Sequence, residues 1–141
     1  MSTEIALLIA DVYELAGALR RVGETTAASE GQTQARWQLL SAISDHPETV
    51  PRAARRLGIT RQAVQRVANE LAQLGLADYV DNPDHRTSPL LVMTEAGREK
   101  LEAINRRAAA MNRLLASRVG DSAVSEMRSG VRRLLAAVDE G

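Results

Sequence analysis

Apolar residues recur at three- and four-residue spacing along most of the chain, the period of an amphipathic helix. The first such pattern covers residues 3–22 and predicts a helix of about five turns. Its apolar stripe consists of Ile5, Leu8, Ile9, Val12, Leu15, Ala16 and Leu19. A stretch rich in Gly, Thr and Ser then predicts a loop over residues 23–33. A second helix is expected over residues 34–44, ending before Pro47 because the residue preceding a proline avoids helical geometry.

Two short helices with a tight turn between them are predicted next, over residues 50–57 and 61–74. Thr49 can cap the first helix, and Pro51 falls in its first turn, where a missing N–H is harmless. Gly58 follows that helix at the position where a left-handed residue closes a helix without steric cost. Thr60 supplies a cap oxygen for the second helix. The pattern is that of a helix-turn-helix.

The second of these helices has two chemically distinct faces. Its expected buried stripe is Val64, Val67, Ala68, Leu71 and Leu74. The opposite face carries Arg61, Gln62, Gln65, Arg66, Asn69 and Gln73. Arginine matches guanine edges and phosphates, while glutamine and asparagine match adenine edges. Five arginines and no acid lie between Glu48 and Glu70, although the whole chain has a formal net charge of zero.

Beyond Gly75 the pattern changes to that of short strands. Residues 76–80 and 90–93 are predicted strands, and the polar residues 81–88 between them have the composition of a turn. Thr94 can cap a long helix over residues 95–117, which Gly120 ends, and Asp121 or Ser122 can cap a last amphipathic helix. The fold class is therefore mainly α with a small β-hairpin, a helix-turn-helix followed by a wing.

Composition excludes several classes of function. The 141 residues fit one domain, residues 1–141, and no apolar run approaches the roughly 20 residues that cross a bilayer. We therefore expect a cytoplasmic protein without membrane contact. The chain has no cysteine and two histidines, His46 and His85, which leaves no basis for a metal site or a thiol switch. We expect no cofactor and no enzymatic activity, because no phosphate-binding glycine loop and no nucleophile–base motif occurs.

Four segments resemble the MarR family of bacterial transcriptional regulators. They are LGITRQAV at residues 57–64, LGL at 74–76, NPDHR at 82–86 and MTEAG at 93–97. The likeness covers essentially the whole chain. It implies a winged helix-turn-helix DNA-binding lobe over residues 34–94. It also implies that helices within residues 1–22 and 95–141 interlock with a second copy as a homodimer, which agrees with terminal apolar stripes too extensive for one small domain to cover.

The resemblance also assigns site residues. The recognition helix corresponds to residues 61–74, and its candidates for contact with double-stranded DNA are Arg61, Gln62, Gln65, Arg66 and Asn69. Arg52, on the preceding helix, is a candidate phosphate contact. In the wing the candidates are Asp84, His85, Arg86 and Thr87. In relatives the wing arginine enters the minor groove and the acid orients it, which suits narrow A·T-rich grooves.

A small-molecule effector is the third partner that the resemblance implies. In relatives it binds between the dimerisation helices and the DNA-binding lobe, and the candidate residues are Tyr13, Arg36 and Trp37. The resulting hypothesis is a sequence-specific repressor that acts as a homodimer on a pseudo-palindromic operator. The alternative is a winged-helix protein-interaction module without specific DNA binding. Arg52 could then lie on a solvated helix face, and Asp84 and Arg86 could form an ordinary turn ion pair.

Overall fold

The computed structural model describes residues 3–140, which contain six helices and three short strands. They are α1 (Glu4–Ala28), α2 (Gln34–Ile43), β1 (Glu48–Thr49), α3 (Val50–Leu57), α4 (Arg61–Gln73), β2 (Ala77–Val80), β3 (Leu90–Met93), α5 (Glu95–Val119) and α6 (Asp121–Glu140). This confirms the mainly helical class with a small hairpin wing. The chain divides into two compact units, one ending at Asn105 and the other beginning at Arg106, so that α5 contributes to both.

The hydrophobic core of the first unit lies among α2, α3, α4 and the strands. It is almost wholly aliphatic, as a chain without Phe requires. Its largest members are Leu39, Leu40, Ile43, Val64, Val67, Leu71, Leu76, Leu91 and Leu101. Trp37 is partly buried and packs against this cluster. The core therefore joins the two helices of the helix-turn-helix to the wing, and it fixes the recognition helix α4 on the sheet and on α2.

The three strands form an antiparallel sheet in the order β1-β3-β2. In the hairpin, Ala77 pairs with Met93 and Tyr79 pairs with Leu91. The other edge of β3 pairs Leu91 with Glu48 of β1. The sequence did not predict β1, because a strand of two residues is too short to show a period and is defined by its partner. It ties the beginning of α3 to the wing.

The helix boundaries around the tight turn are confirmed at atomic detail. The Thr49 hydroxyl accepts a hydrogen bond from the Arg52 N–H at 3.3 Å, and Thr60 accepts one from the Ala63 N–H at 3.1 Å. Gly58 adopts a φ of 69°, the left-handed conformation expected where α3 ends. Local chemistry thus fixes where the recognition helix begins, and the first of its DNA candidates, Arg61, falls in its first turn.

The predicted end of the first helix was wrong. We expected a loop from residue 23, but α1 continues to Ala28. The hydroxyls of Thr25 and Thr26 donate to the carbonyls of Arg21 and Val22, so these residues satisfy their polar groups inside the helix. Gly23 is buried against Gln34, and a β-carbon there would lie 2.8 Å from the Gln34 Cγ. The glycine permits close helix packing and does not mark a loop.

The prediction that Leu74 completes the buried stripe of α4 was also wrong. Val64, Val67, Ala68 and Leu71 are buried, but Leu74 is 51% exposed. The helix ends at Gln73, Leu74 is its C-cap residue, and Gly75, with a φ of 75°, turns the chain toward β2. Leu74 therefore lies at the end of the stripe, where no further helical turn covers it. Leu76 is buried.

The second unit contains the rest of α5 and all of α6. Gly120, with a φ of 96°, separates the two helices as expected. Because α6 begins at Asp121, both predicted caps, Asp121 and Ser122, lie inside its first turn and neither is the cap; the Asp121 carboxylate interacts favourably with the helix dipole there. No residue of α6 is buried. Large apolar side chains of α1 in the first unit are likewise exposed. Over residues 3–140, none of the helices combines the length and hydropathy needed to cross a membrane.

Candidate nucleic-acid interface

The polar face of α4 is exposed, as the sequence predicts for a helix that contacts DNA. Its side chains Arg61, Gln62, Gln65, Arg66 and Asn69 are all exposed. Arg52 and Arg55, on α3, are exposed as well. The two acids that bound this arginine-rich segment, Glu48 and Glu70, are held in ion pairs. The exposed face of α4 therefore carries no free carboxylate, while Glu48 offsets the charge of Arg52 on α3.

Glu48 is the only buried charged residue within the described part of the chain, with 6% of its surface exposed. One of its carboxylate oxygens lies 3.4 Å from the Arg52 Nε, and the other lies 3.2 Å from the His46 Nδ1. Glu48 is itself held in place because it pairs with Leu91 in the sheet, so its carboxylate orients the exposed Arg52 side chain. The sequence predicted Arg52 as a phosphate contact but not the carboxylate that positions it.

Arg36 and Glu70 form the second ion pair, with the Arg36 Nε 3.1 Å from a Glu70 carboxylate oxygen. This contact joins α2 to the recognition helix. Next to it, the Trp37 indole N–H donates to the Asn105 side-chain oxygen at 3.0 Å. The third effector candidate, Tyr13, is exposed on α1, and no hydrogen bond joins it to Arg36 or Trp37 among residues 3–140.

A cleft of about 590 Å³ separates the start of α4 from the wing. It brings together residues that are far apart in sequence. Its lining consists of Val50, Pro51, Arg61, Gln62, Gln65, Tyr79, Thr87, Ser88 and Pro89. Three predicted recognition residues, Arg61, Gln62 and Gln65, thus share a surface with the wing residue Thr87.

Asn82 organises the turn of the wing. Its side-chain N–H donates to the Ser88 carbonyl at 3.0 Å, and its side-chain oxygen accepts from the Asp84 N–H at 3.1 Å. The tip residues Asp84, His85, Arg86 and Thr87 are exposed. Among the described residues Asp84 and Arg86 form no ion pair with each other. The shape of the tip therefore comes from an asparagine-centred turn, and Arg86 is exposed at that tip.

A tyrosine that the sequence did not single out lies beside the recognition helix. The Tyr79 hydroxyl accepts a hydrogen bond from the Gln65 side-chain amide at 2.8 Å and donates one to the Asn69 side-chain oxygen at 2.7 Å. Burial raises the pKa of Tyr79, an effect that the Gln65 hydrogen bond partly offsets. The phenol therefore stays protonated at neutral pH. Aromatic residues are common in strands, so the sequence alone did not indicate that Tyr79 contacts α4; the hairpin register places it there.

Within residues 3–140, no three His, Cys, Asp or Glu side chains come together in a way that could hold a metal ion. The arrangement offers a charged, hydrogen-bonding surface for binding. Its elements are an exposed polar helix, arginines on the preceding helix, and an exposed wing tip.

Comparison with known proteins places this surface in a family. The model of the MarR family matches residues 31–86. A protein of Mycobacterium tuberculosis named as uncharacterized is 61% identical over 138 residues, which cover 98% of this chain and 96% of that protein. The chain belongs to the MarR family. The matched range runs from the segment before α2 to the wing tip, so it includes every DNA-contact candidate of this MarR-family regulator except Thr87.

Two solved structures share the fold over nearly the whole chain. A mutant MarR from E. coli, complexed with operator DNA, superposes with a TM-score of 0.81 at 17% identity and covers 94% of this chain and 96% of its own. CouR from Rhodococcus jostii, bound to p-coumaroyl-CoA, superposes with a TM-score of 0.79 at 19% identity and covers 93% and 91%. The predicted MarR-family winged-helix fold is thus confirmed.

Proposed function

We propose that this MarR-family chain is a sequence-specific repressor that binds a pseudo-palindromic operator as a homodimer. The observation that carries the proposal is the exposed, acid-free polar face of α4, bounded by two acids that are already held in ion pairs. An exposed face of this kind can approach polyanionic DNA without a local repulsive carboxylate. A protein-interaction module would have no need for such a face.

Each element of the surface has a distinct role in this proposal. The recognition helix α4 enters the major groove, where Gln62, Gln65 and the helix arginines reach base edges. Arg52, held by Glu48, contacts a phosphate beside that groove. Arg86, exposed at the wing tip, enters the adjacent minor groove, where a narrow A·T-rich segment concentrates negative potential.

Dimerisation is proposed from the uncovered apolar residues of the terminal helices. In α1 these include Ile5, Leu8, Val12, Leu15 and Leu19. In α6 they include Val124, Met127, Val131, Leu135 and Val138. Contiguous apolar stripes of this length are unusual on a soluble monomer and mark interaction surfaces. A two-fold dimer would present two recognition helices about one helical turn of DNA apart, roughly 34 Å.

An effector would relieve repression only if it binds the DNA-free shape more tightly than the DNA-fitted one. The p-coumaroyl-CoA complex of CouR supports looking for a small molecule here. Tyr13, Arg36 and Trp37 remain the candidate residues. Among them, Arg36 could transmit ligand binding to the recognition helix, because its ion-pair partner, Glu70, belongs to that helix. A ligand that draws Arg36 away would change a contact made directly by α4.

Selection of bound sequences from a random pool of duplex DNA, at near-physiological salt, tests the proposal. We expect an inverted repeat with half-sites about one turn apart. The logarithm of operator affinity should fall linearly with the logarithm of salt concentration, with a slope of about 0.9 per phosphate contacted. Folded, dimeric protein that enriches no sequence and shows no salt slope would instead be a protein-interaction module.

Arg86→Ala is the matched variant for the wing. It should weaken operator binding while dimer mass and helical content stay unchanged. Arg86 is exposed and forms no ion pair within residues 3–140, so its loss removes no such contact inside the fold. Glu102→Ala, a change at an exposed residue of α5 outside the proposed DNA interface, serves as the control. Equal operator affinity for wild type and Arg86→Ala would remove the wing from the proposal.

A further inference from the structure

Gln65, Asn69 and Tyr79 form a closed set of hydrogen bonds on the DNA-facing side of α4. The Gln65 side-chain nitrogen donates to the Tyr79 hydroxyl at 2.8 Å and to the Asn69 side-chain oxygen at 3.0 Å. The Tyr79 hydroxyl in turn donates to the same Asn69 oxygen at 2.7 Å. Gln65 and Asn69 are one helical turn apart, so the helix brings them together, but Tyr79 comes from the wing strand β2.

The nitrogen of the Gln65 amide is the end that faces this set. Its two acceptors, the Tyr79 and Asn69 oxygens, lie only 2.7 Å from each other and therefore on the same side of that nitrogen. The Gln65 carbonyl oxygen has no hydrogen-bond partner among residues 3–140 and belongs to an exposed side chain at the cleft. The side chain therefore turns its nitrogen toward Tyr79 and Asn69 and leaves its carbonyl oxygen available as an acceptor.

The anchor of the set is rigid. Tyr79 pairs with Leu91 in the hairpin, and Leu91 is buried in the core. Because β3 also pairs with β1, the backbone that carries the tyrosine is held within a three-stranded sheet. A long, exposed glutamine on a helix would otherwise sample several rotamers, and ordering it would reduce binding affinity. The hydroxyl on the sheet orders it before DNA arrives.

We propose that Tyr79 is a specificity-determining positioning residue, which holds Gln65 so that its carbonyl oxygen reads an exocyclic amino group in the major groove. This inference rests on the proposed DNA-binding function. The groups of the right chemistry are adenine N6 and cytosine N4, the amino donors of the major groove. The two-bond pairing of glutamine with adenine, through N6 and N7, would also require the amide nitrogen, which here donates to Tyr79 and Asn69.

Selection with wild type and with Gln65→Ala first locates the base pair that Gln65 reads, as the position whose preference the alanine variant loses. At that position Tyr79→Phe, which removes the hydroxyl and keeps the ring, should lower the preference for the selected base roughly 3- to 10-fold, the equivalent of one hydrogen bond. Affinity for nonspecific DNA should not change. In the double variant with Gln65→Ala, removal of the hydroxyl should have no further effect on that preference.

A merely structural role for Tyr79 would lower all affinities together, including that in the Gln65→Ala background. Val80→Ala, at the neighbouring strand position whose side chain faces the other side of the pleat, is the control for disturbance of β2. It should preserve the base preference. An unchanged preference in folded Tyr79→Phe would overturn the positioning role alone, whereas wild type that selects no sequence would overturn the proposed function as well.

Base analogues test which atom of the DNA Gln65 reads. Replacing the selected adenine by purine, or the selected cytosine by 2-pyrimidinone, removes only the amino group. We expect this change to weaken wild type and to leave Gln65→Ala unaffected. Replacing N7 of the contacted purine by carbon should have no effect on wild type. If the N7 change weakens wild type as much as loss of the amino group, Gln65 donates to the base, and the proposed orientation is wrong.

Discussion

Helices α4 and α6 carry similar apolar stripes but bury them differently. Val64, Val67, Ala68 and Leu71 of α4 are buried inside the winged-helix lobe. In α6, Val124, Met127, Val131, Leu135 and Val138 recur at comparable spacing, yet no residue of that helix is buried. Amphipathic spacing therefore shows that a helix needs a partner surface. It does not show whether that surface belongs to the same chain.

The difference follows from how the two regions obtain their neighbours. Around α4, the helices α2 and α3 and the sheet supply a nearly continuous aliphatic core from segments that are close in sequence. Polar groups at the edges of this lobe are also paired internally, as in the contacts of Glu48 and Glu70. The uncovered stripe of α6 has no comparable set of partners within its own unit, and the proposed dimer would provide them.

Val131→Glu should have the largest effect and tests the uncovered side of the comparison. Val131 lies in the α6 stripe and is 51% exposed in the single chain. A carboxylate buried without a partner in a dimer interface costs about 3–5 kcal/mol, so the dimer should dissociate at concentrations where wild type stays associated. Sedimentation or light scattering measures this change.

Ser129→Glu places the same charge on the opposite face of α6 and should leave the dimer intact. If Val131→Glu remains dimeric to the same extent as Ser129→Glu, the α6 stripe is not the interface. The contrast between α4 and α6 would then have another cause.

Leu71→Ala tests the buried side. Leu71 is completely buried, so truncation should lower the free energy of unfolding by about 2–5 kcal/mol through lost burial and a residual cavity. Leu74→Ala is the matched control, since Leu74 belongs to the same predicted apolar stripe of α4 but is exposed. It should cost well under half as much. Denaturant unfolding at one fixed protein concentration measures both, and equal losses would contradict the assigned end of α4.

Local rules explain why the helix-turn-helix was predictable. Thr49, Gly58 and Thr60 each act through atoms within three or four residues, so their caps and turn can be read from the sequence. The family resemblance then assigned roles to the exposed residues of α4 and the wing. Those contact roles stay predictions, although the exposure that they require is present.

Several features that escaped prediction depend on contacts distant in sequence. The strand β1 exists because Glu48 meets Leu91 in β3. Gly23 lies inside α1, where its lack of a side chain lets it pack against Gln34. Tyr79 reaches Gln65 and Asn69 only once the hairpin has folded beside α4. No periodicity or motif in the sequence indicates such contacts, and they become visible only in the folded structure.

Thr60→Ala should have a moderate effect that sharpens the difference between lobe and terminal helix. Loss of the cap on α4 should lower the free energy of unfolding by about 1 kcal/mol. Thr3→Ala removes the equivalent cap of α1, whose hydroxyl accepts from the Ala6 N–H at 3.2 Å. We expect it to cost less, because residues 3–15 are all exposed and a first turn without buried side chains opens locally. Unfolding and amide hydrogen exchange measure both, and a larger loss for Thr3→Ala would reverse this order.

The smallest expected effect is a pH dependence confined to the lobe. Burial raises the pKa of Tyr79 above its ordinary value of 10.0, so above neutral pH the folded state keeps a proton that the unfolded state releases first. The resulting contribution to stability is complete below the unfolded-state pKa and is lost as pH rises through the folded-state pKa.

The free energy of unfolding of wild type, minus that of Tyr79→Phe, should therefore be level below about pH 9 and decline near and above pH 10. Contributions that the two proteins share cancel in the difference. A difference that stays level through this range would show that the Tyr79 hydroxyl is not desolvated in the folded lobe, and that the hydrogen bonds to Gln65 and Asn69 form in a more open surface than the one described.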